Sequence, residues 1–445
     1  MPDIDISHPE GQTDLANARR LIHLHGDKLR FCHPFGKWFV WDFRRWKTDD
    51  DGAVERLAKS VADAVWADAR ESNEPSALRH AARTASDRGV RAMLSLASSD
   101  LPVLPGELDS NPALLNVENG TVDLRTGRIR DHKREDMLTK IAPVALNNEA
   151  SSFAWDRFLE DVFAENQDVI PFVQRLFGYC ATGDVREQIL GILWGCGANG
   201  KTTLIDAITS TLGPDYACSA PKDLLMAKRG DSHPCEIADL FAKRLVISNE
   251  TEHSRTLAEG LVKQLTGGDK IKARRMREDF WEFAPSHKLL VLTNHRPRVR
   301  GIDHAIWRRI RLIPFNSRFE GDTRDKAMPA KLAAERAGIL AWIIRGAVDW
   351  YATGLADTPT VTDATAEYRA SSDVIGRFLS DCFHVAPDMR VKFSDLMDRL
   401  EHWCRDGGDN LPSRKFVGEY LQDRGFTAKT SNGRWYLGLA ERTDA

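Results

Sequence analysis

Gly195-Cys196-Gly197-Ala198-Asn199-Gly200-Lys201-Thr202 fits the pattern Gly-x-x-x-x-Gly-Lys-Thr. The apolar run Ile189-Leu190-Gly191-Ile192-Leu193-Trp194 precedes it, and Thr203-Leu204-Ile205-Asp206-Ala207-Ile208 follows with a helical pattern. Strand, loop and helix in that order give the pattern its meaning. The glycines let backbone N–H groups turn inward onto phosphate oxygens. Lys201 then reaches the β- and γ-phosphates, and Thr202 offers a hydroxyl to Mg²⁺. The competing reading is a coincidental Gly-rich turn, and the flanking strand and helix weigh against it. The expected nucleotide contacts are Gly195, Gly197, Ala198, Asn199, Gly200, Lys201, Thr202 and Thr203, with ATP and Mg²⁺ as cofactors.

A chain of 445 residues has room for two to four domains, one of them a full α/β core. Its 42% hydrophobic and 29% charged content is that of an ordinary globular protein. No apolar run approaches the length of a membrane span, and Met1-Pro2-Asp3-Ile4-Asp5 does not open a secretory signal. The seven cysteines are scattered, with no Cys-x-x-Cys pair. That pattern predicts reduced thiols in a cytoplasmic protein, without a zinc site. Cys32-His33 and His402-Trp403-Cys404 are better read as packing or surface residues than as metal ligands. The net charge of −3 argues against a uniformly basic surface but allows local basic patches.

A phosphate loop needs a carboxylate to organise Mg²⁺ and water, a polar sensor of the γ-phosphate and an arginine for transition-state charge. Arg244-Leu245-Val246-Ile247-Ser248-Asn249-Glu250 reads as a buried parallel strand ending in an acid. Glu250 is the expected Mg²⁺ and water organiser, with Glu252 in support; the bland alternative is a solvated acidic loop. Lys288-Leu289-Leu290-Val291-Leu292-Thr293-Asn294 is a second apolar strand, and Asn294 at its end is the expected sensor. An asparagine chosen for the turn before Pro297 is the alternative. Trp307-Arg308-Arg309-Ile310-Arg311 supplies an arginine to reach the nucleotide of a neighbouring subunit, with Arg308 favoured over Arg309; an intramolecular salt bridge or a DNA-phosphate contact is the alternative. Between acid and sensor lies Lys270-Ile271-Lys272-Ala273-Arg274-Arg275-Met276-Arg277. Lys270, Lys272, Arg274, Arg275 and Arg277 suit a β-hairpin that binds a phosphate backbone without reading sequence. A solvated basic face is the alternative.

Four regions follow from composition. Residues 1–150 read as a mainly helical N-terminal region with small β elements. A hairpin is expected over Phe31 to Trp46, and helices over Val54 to Arg70 and Ala77 to Leu96. The aromatics Trp38, Phe39, Trp41, Phe43 and Trp46 suit a small core better than a base-stacking surface. Leu114 to Leu124 reads as strand, Asn-Gly turn and strand. Residues 151–183 form a helical collar of two amphipathic helices, and residues 184–352 the phosphate-loop core. Thr353 to Thr365 reads as a linker. Residues 366–445 form a separate unit of three helices, Asp373 to Phe383, Ser394 to Arg405 and Ser413 to Asp423, followed by a hairpin. Ser394 and Ser413 are the expected N-caps. Helices followed by a hairpin suggest a winged helix, with Arg414 and Lys415 at the DNA-facing end; protein docking is the rival role.

The order of Gly-x-Gly-x-Asn-Gly-Lys-Thr-Thr, Val-Ile-Ser-Asn-Glu-Thr-Glu, Leu-Val-Lys-Gln-Leu-Thr-Gly-Gly-Asp, Thr-Asn-His-Arg-Pro and Ile-Trp-Arg-Arg-Ile-Arg-Leu-Ile-Pro-Phe resembles the superfamily 3 helicases. More narrowly, it is similar to the helicase half of phage and plasmid primase–helicases, related to the poxvirus replicative NTPase. The resemblance covers most of the chain. It implies an α/β fold with an AAA+ P-loop core and parallel sheet, a mainly helical N-terminal region and a C-terminal winged-helix domain. It also implies a hexameric ring and ATP-driven 3′→5′ movement on single-stranded DNA at replication forks of a mobile element. Lys201, Thr202, Glu250, Asn294 and Arg308 fall on its functional positions, and its central-channel hairpin on about Lys272 to Asp279. Residues 1–150 lack a defensible triplet of metal-binding acids, so a primase is expected on a separate chain or a removed segment. The competing functions are an ATP-switched replication initiator that does not unwind processively and a P-loop kinase. A strand-end sensor and a distant arginine pair argue against the kinase.

Overall fold

A computed structural model describes residue 6 and residues 8–221, 223–227, 234–250, 255–274, 280–299 and 304–442, apart from the side chains of Pro234, Cys235, Glu250 and Asp322. Its centre is a five-stranded sheet of β1 (Leu190–Trp194), β2 (Ala217–Ser219), β3 (Leu245–Glu250), β4 (Lys288–Thr293) and β5 (Ile310–Pro314). The spatial order is β5-β1-β4-β3-β2, and every pairing is parallel. Parallel strands need crossovers that cover both faces, which is why these strands read as unbroken apolar runs. Leu193, Ile247, Leu290, Leu292 and Ile313 point into one buried cluster. Their neighbours Ile192, Val246, Leu289, Val291 and Leu312 point into another on the opposite face. The pleat thus divides each strand between two cores.

The collar helices α1 (Phe153–Val162) and α2 (Val169–Ala181), the loop helix α3 (Lys201–Tyr216) and the long α4 (Arg336–Thr353) share the first of those cores. The C-terminal end of α2 is held by two buried cations. Arg244 donates to the carbonyls of Ala181 at 2.6 Å and Leu114 at 2.7 Å. Lys288 donates to the carbonyls of Thr182 and Ser286. A helix C-terminus carries partial negative charge, so both cations are well placed. Burial nevertheless pushes the Lys288 ammonium down to about 7.

The second core is closed by α5 (Pro359–Ser372), which overlaps the expected linker and corrects that reading. Its Tyr368 joins that second core, while Val361, seven positions earlier, reaches the first. Thr365 accepts from the β5 backbone N–H of Leu312 at 3.0 Å. Proline at the first helical position starts a helix rather than breaking one.

In the N-terminal region, strands Leu29–Cys32, Lys37–Trp41 and Trp46–Thr48 form the expected hairpin and extend it by one strand. Trp46 and Phe39 are buried, as a small core requires, whereas Phe43 stands 70% exposed. The helix expected over Ala77 to Leu96 is two, Pro75–Thr84 and Asp87–Ala97, because Ser86 caps the second by accepting from Gly89 N–H. The C-terminal unit has helices Val374–Cys382, Phe393–Gly407 and Arg414–Asp423 around their own core. Strand Phe383–Lys392, missed in the sequence, joins Ala428–Thr430 and Arg434–Glu441 in an antiparallel sheet. Ser413 caps its helix as expected; Ser394 does not, since that helix already starts at Phe393 and its hydroxyl donates to Asp395.

Candidate nucleotide site and basic hairpin

The loop after β1 is shaped by close approach. A Cβ on Gly195 would lie 2.2 Å from the Phe315 carbonyl oxygen. Gly200 has φ +85°, and a Cβ there would meet Val162 of α1 at 2.6 Å. Only glycine fits these two turns. The loop is pinned from its flanks: Phe319 N–H donates to the Ala198 carbonyl at 2.7 Å, and Asn199 Nδ2 donates to the Phe315 carbonyl at 3.2 Å.

Lys201 is the first residue of α3, and only 6% of it is exposed. Its Nζ donates to the Gly195 carbonyl at 2.5 Å, Asn199 Oδ1 at 3.0 Å and Asn294 Oδ1 at 3.3 Å. All three acceptors are neutral, and burial lowers the ammonium to about 8. Among the described residues this buried cation meets neutral oxygens, and an anionic phosphate would complete it. Asn199 joins loop, lysine and β5 edge; the sequence marked it as a nucleotide contact, and its side-chain bonds depend on where Phe315 falls.

Asn294 directly follows β4 and meets Lys201, so the expected sensor and the expected phosphate lysine are brought together. Strand register aligns Trp194, Thr293, Glu250 and Pro314 in one row at the carboxyl edge of the sheet. Ligands of open α/β sheets bind at that edge. The Glu250 backbone therefore ends β3 one strand away from the sensor; its side chain lies outside the described residues, as does all of Glu252. Exposed Thr202 lines a cleft of about 500 Å³ with Asp206, Ser219, Asn249 and Leu292. Asp206, one turn after Thr202, is a carboxyl that the sequence reading passed over; burial raises its pKa. Gly197 and Ala198 are exposed on the crest of the loop and Thr203 is half-buried.

The two arginines of Trp307-Arg308-Arg309 have different environments. Arg309 is buried, donating to Thr266 Oγ1 at 3.1 Å and the Ala305 carbonyl at 2.6 Å. Arg308 is exposed and donates to Gln188 Oε1 at 2.8 Å. It precedes β5, at the sheet edge opposite the phosphate loop. At about 3.3 Å per residue, the strand alone puts roughly 15 Å between Arg308 and that loop. Arg308, His304, Arg311, Asp357 and Arg369 line a separate cleft of about 340 Å³.

Strands Ile271–Ala273 and Trp281–Phe283 form the base of the expected hairpin. Lys270 and Lys272 are exposed and Arg274 half-buried; Arg275 and Arg277 lie outside the described residues. The inner side of the base packs on the N-terminal region. Phe35 meets Trp281 at 6.3 Å and Phe241 at 6.0 Å, and Phe241 meets Trp281 at 4.7 Å, between ring centroids. Among the described residues no helix is long and apolar enough to cross a membrane.

Two family profiles match successive parts of the chain: "D5 N terminal like" over residues 18–164, and "Family of unknown function (DUF5906)" over residues 193–309. The second begins in β1 and ends at Arg309, so it encloses loop, acid strand, hairpin and sensor. A "Putative helicase" of Acanthamoeba polyphaga mimivirus is 28% identical over 345 residues, covering 71% of this chain and 36% of the relative. A "Putative helicase" of Invertebrate iridescent virus 3 is 23% identical over 334 residues, covering 66% and 35%. A "Putative primase" of African swine fever virus (strain Badajoz 1971 Vero-adapted) is 24% identical over 328 residues, covering 66% and 34%. The chain thus spans about a third of the length of these curated relatives. The A form apo structure of the NrS-1 C terminal region superposes with a TM-score of 0.53 at 11% identity, covering 96% of this chain and 99% of that one. That likeness is one of fold. The two profiles in this order, together with the viral relatives, support a likeness to the phage and viral primase–helicases of D5 type.

Proposed function

We propose that this chain is an ATP-driven DNA helicase subunit for replication of a phage, plasmid or other mobile element. The observation that carries the reading is the buried Lys201 ammonium, joined to sensor Asn294 and flanked in register by the end of the acid strand. The loop amides from Gly195 to Thr203 and Lys201 would hold the triphosphate. Thr202 and Glu250, with Glu252 in support, would hold Mg²⁺, which when bound neutralises developing charge on the phosphate oxygens. Asn294 would orient the attacking water without adding charge.

Placement of β4 between β1 and β3 sets the sensor between phosphate loop and acid, which supports an AAA+ core and disfavours a kinase pocket. Arg308 stands too far from its own loop to serve it, which favours action on a neighbouring subunit in a ring, probed by the mixing experiment below. The helix and strand order of the C-terminal unit favours a winged helix. Single-stranded DNA at forks, 3′→5′ movement, a hexameric ring and a cytoplasmic setting belong to the same reading.

Single-stranded DNA is expected to stimulate ATP hydrolysis, and Lys201→Ala to abolish it in a protein that stays folded. Wild-type turnover in that variant would remove Lys201 from the site and the reading with it.

A further inference from the structure

We infer that Phe280 is a base-stacking residue of the single-stranded DNA path, with Lys272 and Arg274 taking the strand's phosphates. This rests on the DNA-translocating reading and adds a residue that the basic run alone does not name. Phe280 directly precedes strand Trp281–Phe283 and is 49% exposed. Alternation sorts the hairpin base into two sides. Ile271, Ala273 and Phe283 are buried and Trp281 is half-buried against the aromatic cluster. Lys272, Arg274, Phe280 and Glu282 share the other side. Ala273 pairs with Trp281, so Arg274 and Phe280 occupy the next opposed positions.

Both cations stand over the Phe280 ring, Lys272 Nζ at 5.0 Å and Arg274 Cζ at 4.9 Å from its centroid. Among the described residues neither forms an ion pair. Glu282, opposite Lys272 in the ladder, is the one acid on that side of the described base, which stays net positive. An isolated exposed phenylalanine needs no explanation. One that is 49% exposed with two cations beside it presents a π surface and phosphate-neutralising charge within one nucleotide's reach. That is the composition of grooves that bind single strands. Every base has a π face, so such an interaction tolerates any sequence, as movement along a strand requires.

The test compares the full-length protein and its Phe280→Ala variant on an oligothymidylate and on an abasic strand of equal length. Phe280→Ala is expected to weaken oligothymidylate binding by about ten- to a hundredfold and leave abasic binding unchanged. Its salt slope should match wild type, whereas Lys272→Ala should flatten that slope by about 0.7 for each phosphate left without its cation. Phe280→Trp should bind as wild type, and ultraviolet irradiation of an iodouracil-substituted strand should link it to Phe280 in the wild-type protein. Undiminished oligothymidylate binding by Phe280→Ala, equal loss on both strands, or crosslinking only elsewhere would overturn the assignment. A wild-type protein that binds neither strand would instead bring down the DNA reading itself, and this inference with it.

Discussion

Lys201 ties chemistry to protonation. Its pKa near 8 lies below the ordinary 10.5 because burial disfavours the charged form. A triphosphate bound beside it would restore the charge, so on the proposed function nucleotide binding above pH 8 would take up a proton. ATP affinity is therefore expected to be flat below about pH 8 and to fall roughly tenfold by pH 9. Without nucleotide the sign for stability is opposite. Between pH 8 and 10.5 the unfolded chain binds more protons at this residue, so this lysine's contribution to stability rises with pH. Titrating a fluorescent ATP analogue across pH 7 to 9.5 checks the first expectation; an affinity that stays flat through pH 9 contradicts it. Lys201 and Asn294 were legible as residues because each sits beside an apolar strand. The side-chain partners of Asn199, and Asp206 altogether, were not: their surroundings are set by elements over a hundred and about forty positions away, Phe315 and Asn249, which no local pattern reveals.

At the scale of elements, the base of the basic hairpin is anchored through Trp281 and Phe241 to Phe35 in the N-terminal region. Phe35→Ala is expected to cost about 1–2 kcal/mol, since the ring packs edge-on against two other aromatics. It should reduce DNA-stimulated hydrolysis more than basal hydrolysis, because it loosens the hairpin and not the phosphate loop. Equal reduction of both rates would place the effect on general stability, and no change in either rate would disconnect Phe35 from the hairpin. The hairpin base and the core strands β1, β3 and β4 were readable from apolar runs and basic alternation, whereas β5 was read only for its arginines. The strands' neighbours were not legible, because parallel strands joined by crossovers carry no local mark of who lies beside whom. Helix α5 was hidden for a different reason: a Thr- and Pro-rich composition looks like a linker, and only Val361 and Tyr368 of its residues are buried. Ser394 misled as a cap because a hydroxyl one residue inside a helix looks the same in sequence as one at its start.

At the scale of the molecule, the phosphate loop and Arg308 occupy opposite edges of one sheet, as they would if each site were completed by a neighbour. Subunits carrying Lys201→Ala and subunits carrying Arg308→Ala should each be inactive alone and regain some activity when mixed, provided mixed rings form. Such arginines contribute on the order of 10³-fold in phosphoryl transfer. ATPase rate against mixing ratio, with subunit exchange measured independently, checks this. Full activity of Arg308→Ala alone would return that residue to its hydrogen bond with Gln188. The C-terminal unit keeps a core of its own, whereas Leu115, Val117, Val122 and Leu124 and the collar helices share one cluster with the sheet, which no local apolar pattern reveals. The ends of the acid loop and the hairpin, with Glu252, Arg275 and Arg277, lie outside the described residues.

Strand separation of a forked duplex with defined single-stranded tails tests the central claim most directly. The wild-type protein with ATP and Mg²⁺ is expected to unwind a fork with a free 3′ tail, and Lys201→Ala, though folded, to leave it intact. Binding of the fork with ATP turnover but no strand separation under any tail polarity would contradict the helicase reading and favour an ATP-switched initiator.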